Sequence, residues 1–162
     1  MSRLAPALIA VALAAALAGG CGEEGAASGA TVVIYVSAPL RGEEAQAGRR
    51  LCEEARAEAA RGSRDEDLEL RVVCLDAAGS NGGWTLAQVG ANARRATEDS
   101  TAVAYVGEPD REARRQSRPI VEAAELAELG GLSGREAVAQ VVAAIAVGDE
   151  SEPRQAVLDA VG

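Results

Sequence analysis

The chain of 162 residues contains three cysteines, no histidine and sixteen basic residues, every one of them arginine. Without His there is no imidazole ligand and no His-centred acid–base pair. Without Lys there is no Schiff base and no phosphate-loop ammonium. Asp76 closes an apolar run but has no companion base, nucleophile or ligand cluster, which leaves it a turn-forming or capping role. The glycines at 79, 82 and 83 lack dinucleotide spacing. The sequence therefore predicts no catalytic residue, no metal site and no cofactor, and it reads as a binding protein. The residues left with chemistry to offer are the cysteines Cys21, Cys52 and Cys74, an acidic helix start (Glu108, Asp110, Glu112) and an arginine run (Arg111, Arg114, Arg115, Arg118).

Position explains the first cysteine. After Arg3 an uncharged stretch, Leu4–Gly20, ends in small residues. It is short for a membrane span of about 20 residues and has the form of a secretory signal. Cys21 stands where cleavage should fall, and Leu17-Ala18-Gly19-Gly20-Cys21 resembles a bacterial lipobox. The expectation is a signal peptide over 1–20, a lipidated Cys21 at the extracytoplasmic face of the cell membrane, and a flexible tether over 21–30 made of small and acidic residues. The alternative is an ordinary signal peptide with a chance cysteine. Net charge is −9 and falls further when Arg3 leaves with the signal. That balance argues against nucleic acid as a partner.

The body alternates strand and helix patterns. Thr31–Ser37 is a β-branched run suited to a strand buried on both faces. Small and apolar residues at 45, 48, 52, 55 and 59 follow at helical spacing, giving a helix over 43–60. Leu68, Leu70, Val72 and Cys74 share one face of a second strand. A helix is expected over 84–98, a third strand over 101–106, and a third helix from Pro109 to about Glu128. Such alternation implies a parallel sheet with right-handed crossovers. Ser133 and Glu136 have capping-box spacing ahead of a helix, and Ser151 and Pro153 open a last one. Ala is the commonest apolar residue, with one Trp, two Tyr and no Phe, so the core must rest on many small contacts.

Within that frame, Val32-Val33-Ile34-Tyr35-Val36-Ser37-Ala38-Pro39-Leu40-Arg41-Gly42 resembles the opening strand and turn of type I periplasmic substrate-binding proteins of the branched-chain amino acid ABC transporter class. The stretch from Trp84 through Asn92-Ala93-Arg94-Arg95-Ala96 to Ala104-Tyr105-Val106-Gly107 is similar to that family's second helix and third strand. Pro119-Ile120-Val121-Glu122-Ala123-Ala124 is similar to its Pro-Ile-x-x-x-Ala helix. The tail from Arg135 to Ala160 resembles a helix pair near the family's C-terminus.

The resemblance implies an α/β fold: a three-layer βαβ sandwich with a parallel sheet, a single lobe over 31–128, and a C-terminal helical segment over 129–162 packing on it. It also implies an amino acid or related small solute as ligand and an ABC permease as partner. The ligand site would lie at the turns after the first and third strands, at Ser37, Ala38, Leu40, Gly107 and Glu108. Family members catch a ligand carboxylate with hydroxyls and backbone N–H groups there. Here Glu108, Asp110 and Glu112 replace the hydroxyl-rich turn; they repel a carboxylate and suit helix capping. The expected function is a shortened, lipid-anchored solute-binding protein with weakened affinity. The alternative is a surface lipoprotein that uses the lobe as a protein-interaction module.

Three further expectations follow. Cys52 and Cys74 lie on faces that a βαβ unit brings together. In an oxidising compartment they close a disulfide if their Cα atoms fall within about 7 Å; reduced, they are small buried hydrophobes. The arginine run is expected to be a solvated face with i,i+4 acidic partners. The outer edge of the third strand is expected to be open, offering a route to self-association.

Overall fold

A computed structural model describes residues 31–65, 68–148 and 152–161. Its centre is β1 (Thr31–Ala38), whose β-branched residues alternate between two buried faces. Val32, Ile34 and Val36 point into one core, and Val33 and Tyr35 into the other. Helix α1 (Ala45–Asp65) leads to β2 (Glu69–Asp76), which pairs parallel with β1 from Thr31 opposite Glu69 to Ala38 opposite Asp76. Helix α2 (Leu86–Thr97) returns the chain across β1 to β3 (Ala102–Val106). Helix α3 (Arg111–Ala123), the two-residue strand β4 (Ala127–Glu128), α4 (Gly134–Val147) and α5 (Pro153–Val161) complete the order. The four strands are all parallel, in the order β2-β1-β3-β4.

The layers follow from that order. The connection from β1 to β2 steps one way and the connection from β2 to β3 steps back, so α1 and α2 cover opposite faces. Helix α1 shares its core with α4 and with Val157 of α5, against the even-numbered residues of β1. Helices α2 and α3 supply Ala93, Ala96 and Val121 to the other face. The capping box is present: the Ser133 side chain accepts from the Glu136 amide, and the Glu136 carboxylate accepts from the Ser133 amide at 2.9 Å.

Three boundaries differ from the pattern reading, each for a physical reason. Helix α1 runs five residues past Ala60 because Gly62 faces inward, where a Cβ would strike Val142 and Leu70, and because the Ser63 hydroxyl accepts the Leu70 amide at 2.9 Å. A Gly-Ser pair that reads as a helix stop is here a close-packing site. Helix α2 starts at Leu86, not Trp84, because the Thr85 side chain caps it. Helix α3 stops at Ala123: Glu125 takes a left-handed conformation (φ 51°), and the chain straightens into β4. The outer edge of β3 is consequently not open, since Ala104 and Tyr105 pair with Ala127 and Glu128. Burial of Leu126, Ala127 and Leu129 outweighs the helix preference of this Ala-, Glu- and Leu-rich stretch.

Candidate functional site

The turn after β1 is pinned by Asp76. Its carboxylate accepts the amides of Leu40 and Ala78, each at 2.9 Å, and pairs with the Arg41 guanidinium. Partial burial pushes this carboxyl up, but the two amides and Arg41 outweigh that and hold it below the usual carboxylate range. The expected turn-forming role of Asp76 is therefore what the structure shows. Gly48 of α1 lets the helix approach the same turn, because a Cβ there would run into the Pro39 carbonyl.

At the end of β3, Glu108 is not a cap. It is buried, and its carboxylate accepts from the Tyr105 hydroxyl at 2.8 Å and the Ser117 hydroxyl at 3.0 Å. Burial and the neighbouring Glu108 charge push the Tyr105 phenol far up, so it remains a proton donor. On the adjoining strand the buried Ser37 hydroxyl accepts from the Asn92 amide nitrogen at 2.9 Å. Ser37, Asn92, Glu108 and Ser117 are the buried polar residues among those described, and they gather around Tyr105. Buried polar groups stabilise a fold only when paired, and here they pair with one another across β1, α2, β3 and α3. The cap of α3 is Asp110, which accepts from the amides of Glu112 (2.8 Å) and Ala113 (2.9 Å).

Between these two turns, at the carboxyl ends of β1 and β3, lies a cleft of about 320 Å³. This is the point where the strand order reverses, the place where open α/β sheets bind ligands. Pro39, Glu44, Gly48, Trp84, Glu108 and Asp110 line it. Of the sequence-derived site residues only Glu108 is among them; Ser37, Ala38, Leu40 and Gly107 lie behind or beside it. Glu44 and Trp84 were missed, because nothing in their local pattern marks them; the fold alone brings them to Asp110. The lining is acidic with one aromatic face, a combination suited to a cation such as an ammonium. Among the described residues no group of three His, Cys, Asp or Glu side chains could hold a metal ion.

The donors that would hold a carboxylate are already used. Leu40 donates to Asp76, the Ser37 hydroxyl is fully buried and not part of the cleft lining, and the first amides of α3 serve Asp110. The first turn of a helix is an anion site only while its N–H groups are free.

Cys52 and Cys74 form a disulfide, with Cα atoms 6.0 Å apart, tying α1 to β2. Cys21 lies outside the described residues, and among those described no helix is long and apolar enough to cross a membrane.

No family model matches the sequence, and comparison with curated proteins finds no match. Solved structures do match. One, from Rhodopirellula baltica SH 1, is described as a possible leucine/isoleucine/valine-binding protein. It aligns with a TM-score of 0.53 at 19% identity, over 61% of this chain and 26% of its own. Another, the leucine-binding protein LivK of Thermotoga maritima MSB8, aligns with a TM-score of 0.49 at 20% identity, over 61% of this chain and 27% of its own. The chain thus spans about a quarter of the length of either. With its four parallel strands and flanking helices, it has the α/β fold of a single lobe of a type I periplasmic binding protein.

Proposed function

We propose that the chain is a lipid-anchored extracytoplasmic solute-binding module, related in role to the branched-chain amino acid binding proteins of ABC transport systems, with weak affinity for free amino acids. The observation that carries this reading is the cleft at the reversal of strand order, built from the turns after β1 and β3. Glu44, Asp110 and the face of Trp84 supply an ammonium site. The amides and hydroxyl nearby are committed internally, so a solute carboxylate finds repulsion and no donors. Within the described residues one lobe bounds the cleft, and a bound solute keeps one side in water, where its charge pairs are screened. Delivery to a permease would require that the solute leave easily, which weak binding permits.

Calorimetric titration with Leu, Ile and Val tests the reading. Dissociation constants no tighter than about 1 mM, near −4 kcal/mol, are expected. A micromolar constant on a monomeric sample would overturn the weak-affinity reading. The anchor is tested separately: the wild-type protein should enter the detergent phase on phase separation, and Cys21→Ser should leave it in the aqueous phase. A wild-type protein that stays aqueous rejects the lipid anchor.

A further inference from the structure

Among the described residues the sheet ends at β4, and beyond it lies an open groove of about 960 Å³ that shares no residue with the cleft. One wall is α3, which presents Arg111, Arg114, Arg115 and Arg118. The other is α4 and α5, which present Ala143, Val147 and Val161; Val147 is 86% exposed. The floor is the outer edge of β4. The Leu129 amide donates to the Tyr105 carbonyl at 2.9 Å, and alternation along the strand turns the N–H and C=O of Glu128 away from β3, toward the groove.

The charges of the groove are unbalanced. In a chain of net −9, its lining holds four arginines and one carboxylate, Glu128. Arg118 pairs with Glu122 at 2.7 Å and lies 3.9 Å from Glu128, and Arg114 donates to the carbonyls of Glu108 and Pro109, each at 2.7 Å. Arg111 and Arg115 have no carboxylate partner among the described residues. The expectation of i,i+4 acidic partners thus holds for Arg118 and fails for Arg111, Arg114 and Arg115 among the described residues.

We propose that this groove takes an extended acidic segment of a partner polypeptide, added alongside β4 as a fifth strand. Each part of the groove answers one property of such a segment. The outward N–H and C=O of Glu128 suit an extended backbone. The arginine wall suits carboxylates on one face of that strand, and Ala143, Val147 and Val161 suit apolar residues on the other. A bilayer is flat and would touch only the rims of a groove walled by two helix layers. A second copy of a chain carrying −9 would approach against its own charge.

The test uses the full chain carrying Cys21→Ser and a fluorescent peptide of alternating Glu and Val, followed by anisotropy. Saturable binding is expected, weakening several-fold between low and physiological salt. It should fall at least about fivefold in the Arg111→Gln/Arg115→Gln variant, whose exposed side chains form no ion pair among the described residues. Hydrogen exchange of the wild-type protein should slow at the Glu128 and Gly130 amides when the peptide is present. Four results would each overturn the proposal: no saturable binding, equal binding of a Lys–Val peptide, equal binding of a peptide with central prolines, or unchanged exchange at Glu128. Binding to phosphatidylglycerol vesicles without peptide binding would assign the groove to a membrane instead. Dimerisation that excludes the peptide would assign it to a second copy.

Discussion

The cleft and the groove differ in what their charged groups already do. Around the cleft nearly every polar group is committed within the fold: Asp76 to the amides of Leu40 and Ala78, Asp110 to the first turn of α3, and Glu108 to Tyr105 and Ser117. Among the described residues, Arg111 and Arg115 of the groove have no carboxylate partner, and the sheet edge below them has no strand beside it. A site whose donors are internally satisfied is rigid and stable but poor at catching a ligand. A site with unpaired charge contributes little to stability and is available for binding. The cleft has the position of a binding site, and the groove has the uncommitted chemistry.

The largest test of that contrast is the disulfide. It fixes α1, which carries Gly48 to the cleft and follows directly on Glu44, and it lies away from the groove lining. Cys52→Ala/Cys74→Ala should lower stability by about 3 kcal/mol in denaturant melts. Loss of less than about 1 kcal/mol would mean the link adds little to the cleft's framework. Next is Glu108→Ala, which strands two buried donors and should cost about 2–3 kcal/mol. Arg115→Ala on the groove wall should stay within about 0.5 kcal/mol. Equal costs at these positions would erase the distinction between the two regions.

Smaller effects separate the regions by pH, with opposite signs. Asp76, held low, gives stability that is present above its ordinary value near 3.8 and lost as pH falls through its lower folded value. Asp76→Ala should cost about 1–2 kcal/mol near neutrality and progressively less in acid. Glu128 is raised, because burial outweighs the pull of Arg118 and Arg114. Its contribution is present below about 4.5 and is lost as pH rises through its higher folded value. Glu128→Gln should therefore raise the melting temperature slightly at pH 7 and leave it unchanged at pH 4. A loss at pH 7 would mean the two arginines dominate after all.

What the residues revealed in advance follows the strength of their patterns. The β-branched run at 31–37 could hardly be anything but a central strand, and the shared faces of Cys52 and Cys74 pointed to their pairing. Ser133 and Glu136 announced a helix start because the capping box is a purely local device. β4 was hidden because Ala123-Ala124-Glu125-Leu126-Ala127-Glu128 favours helix. Only the burial of Leu126 and Ala127 under neighbouring elements turns it into a strand. The roles of Glu108 and Trp84 were hidden for a related reason. A Glu before Pro109 looks like an exposed turn residue until Tyr105 and Ser117 are brought onto it, and Trp84 gains a role only once α1 and α3 converge beside it.

A cleft that suits an ammonium and repels a carboxylate is tested most directly by leucine against leucinamide, titrated calorimetrically into the same sample at neutral pH. The two share an ammonium and an isobutyl side chain and differ in the carboxylate. A cleft lined by Glu44, Glu108 and Asp110, with its nearby donors committed, should bind leucinamide several-fold more tightly than leucine, and leucine no tighter than about 1 mM. Leucine binding at micromolar concentration, or more tightly than its amide, would contradict it.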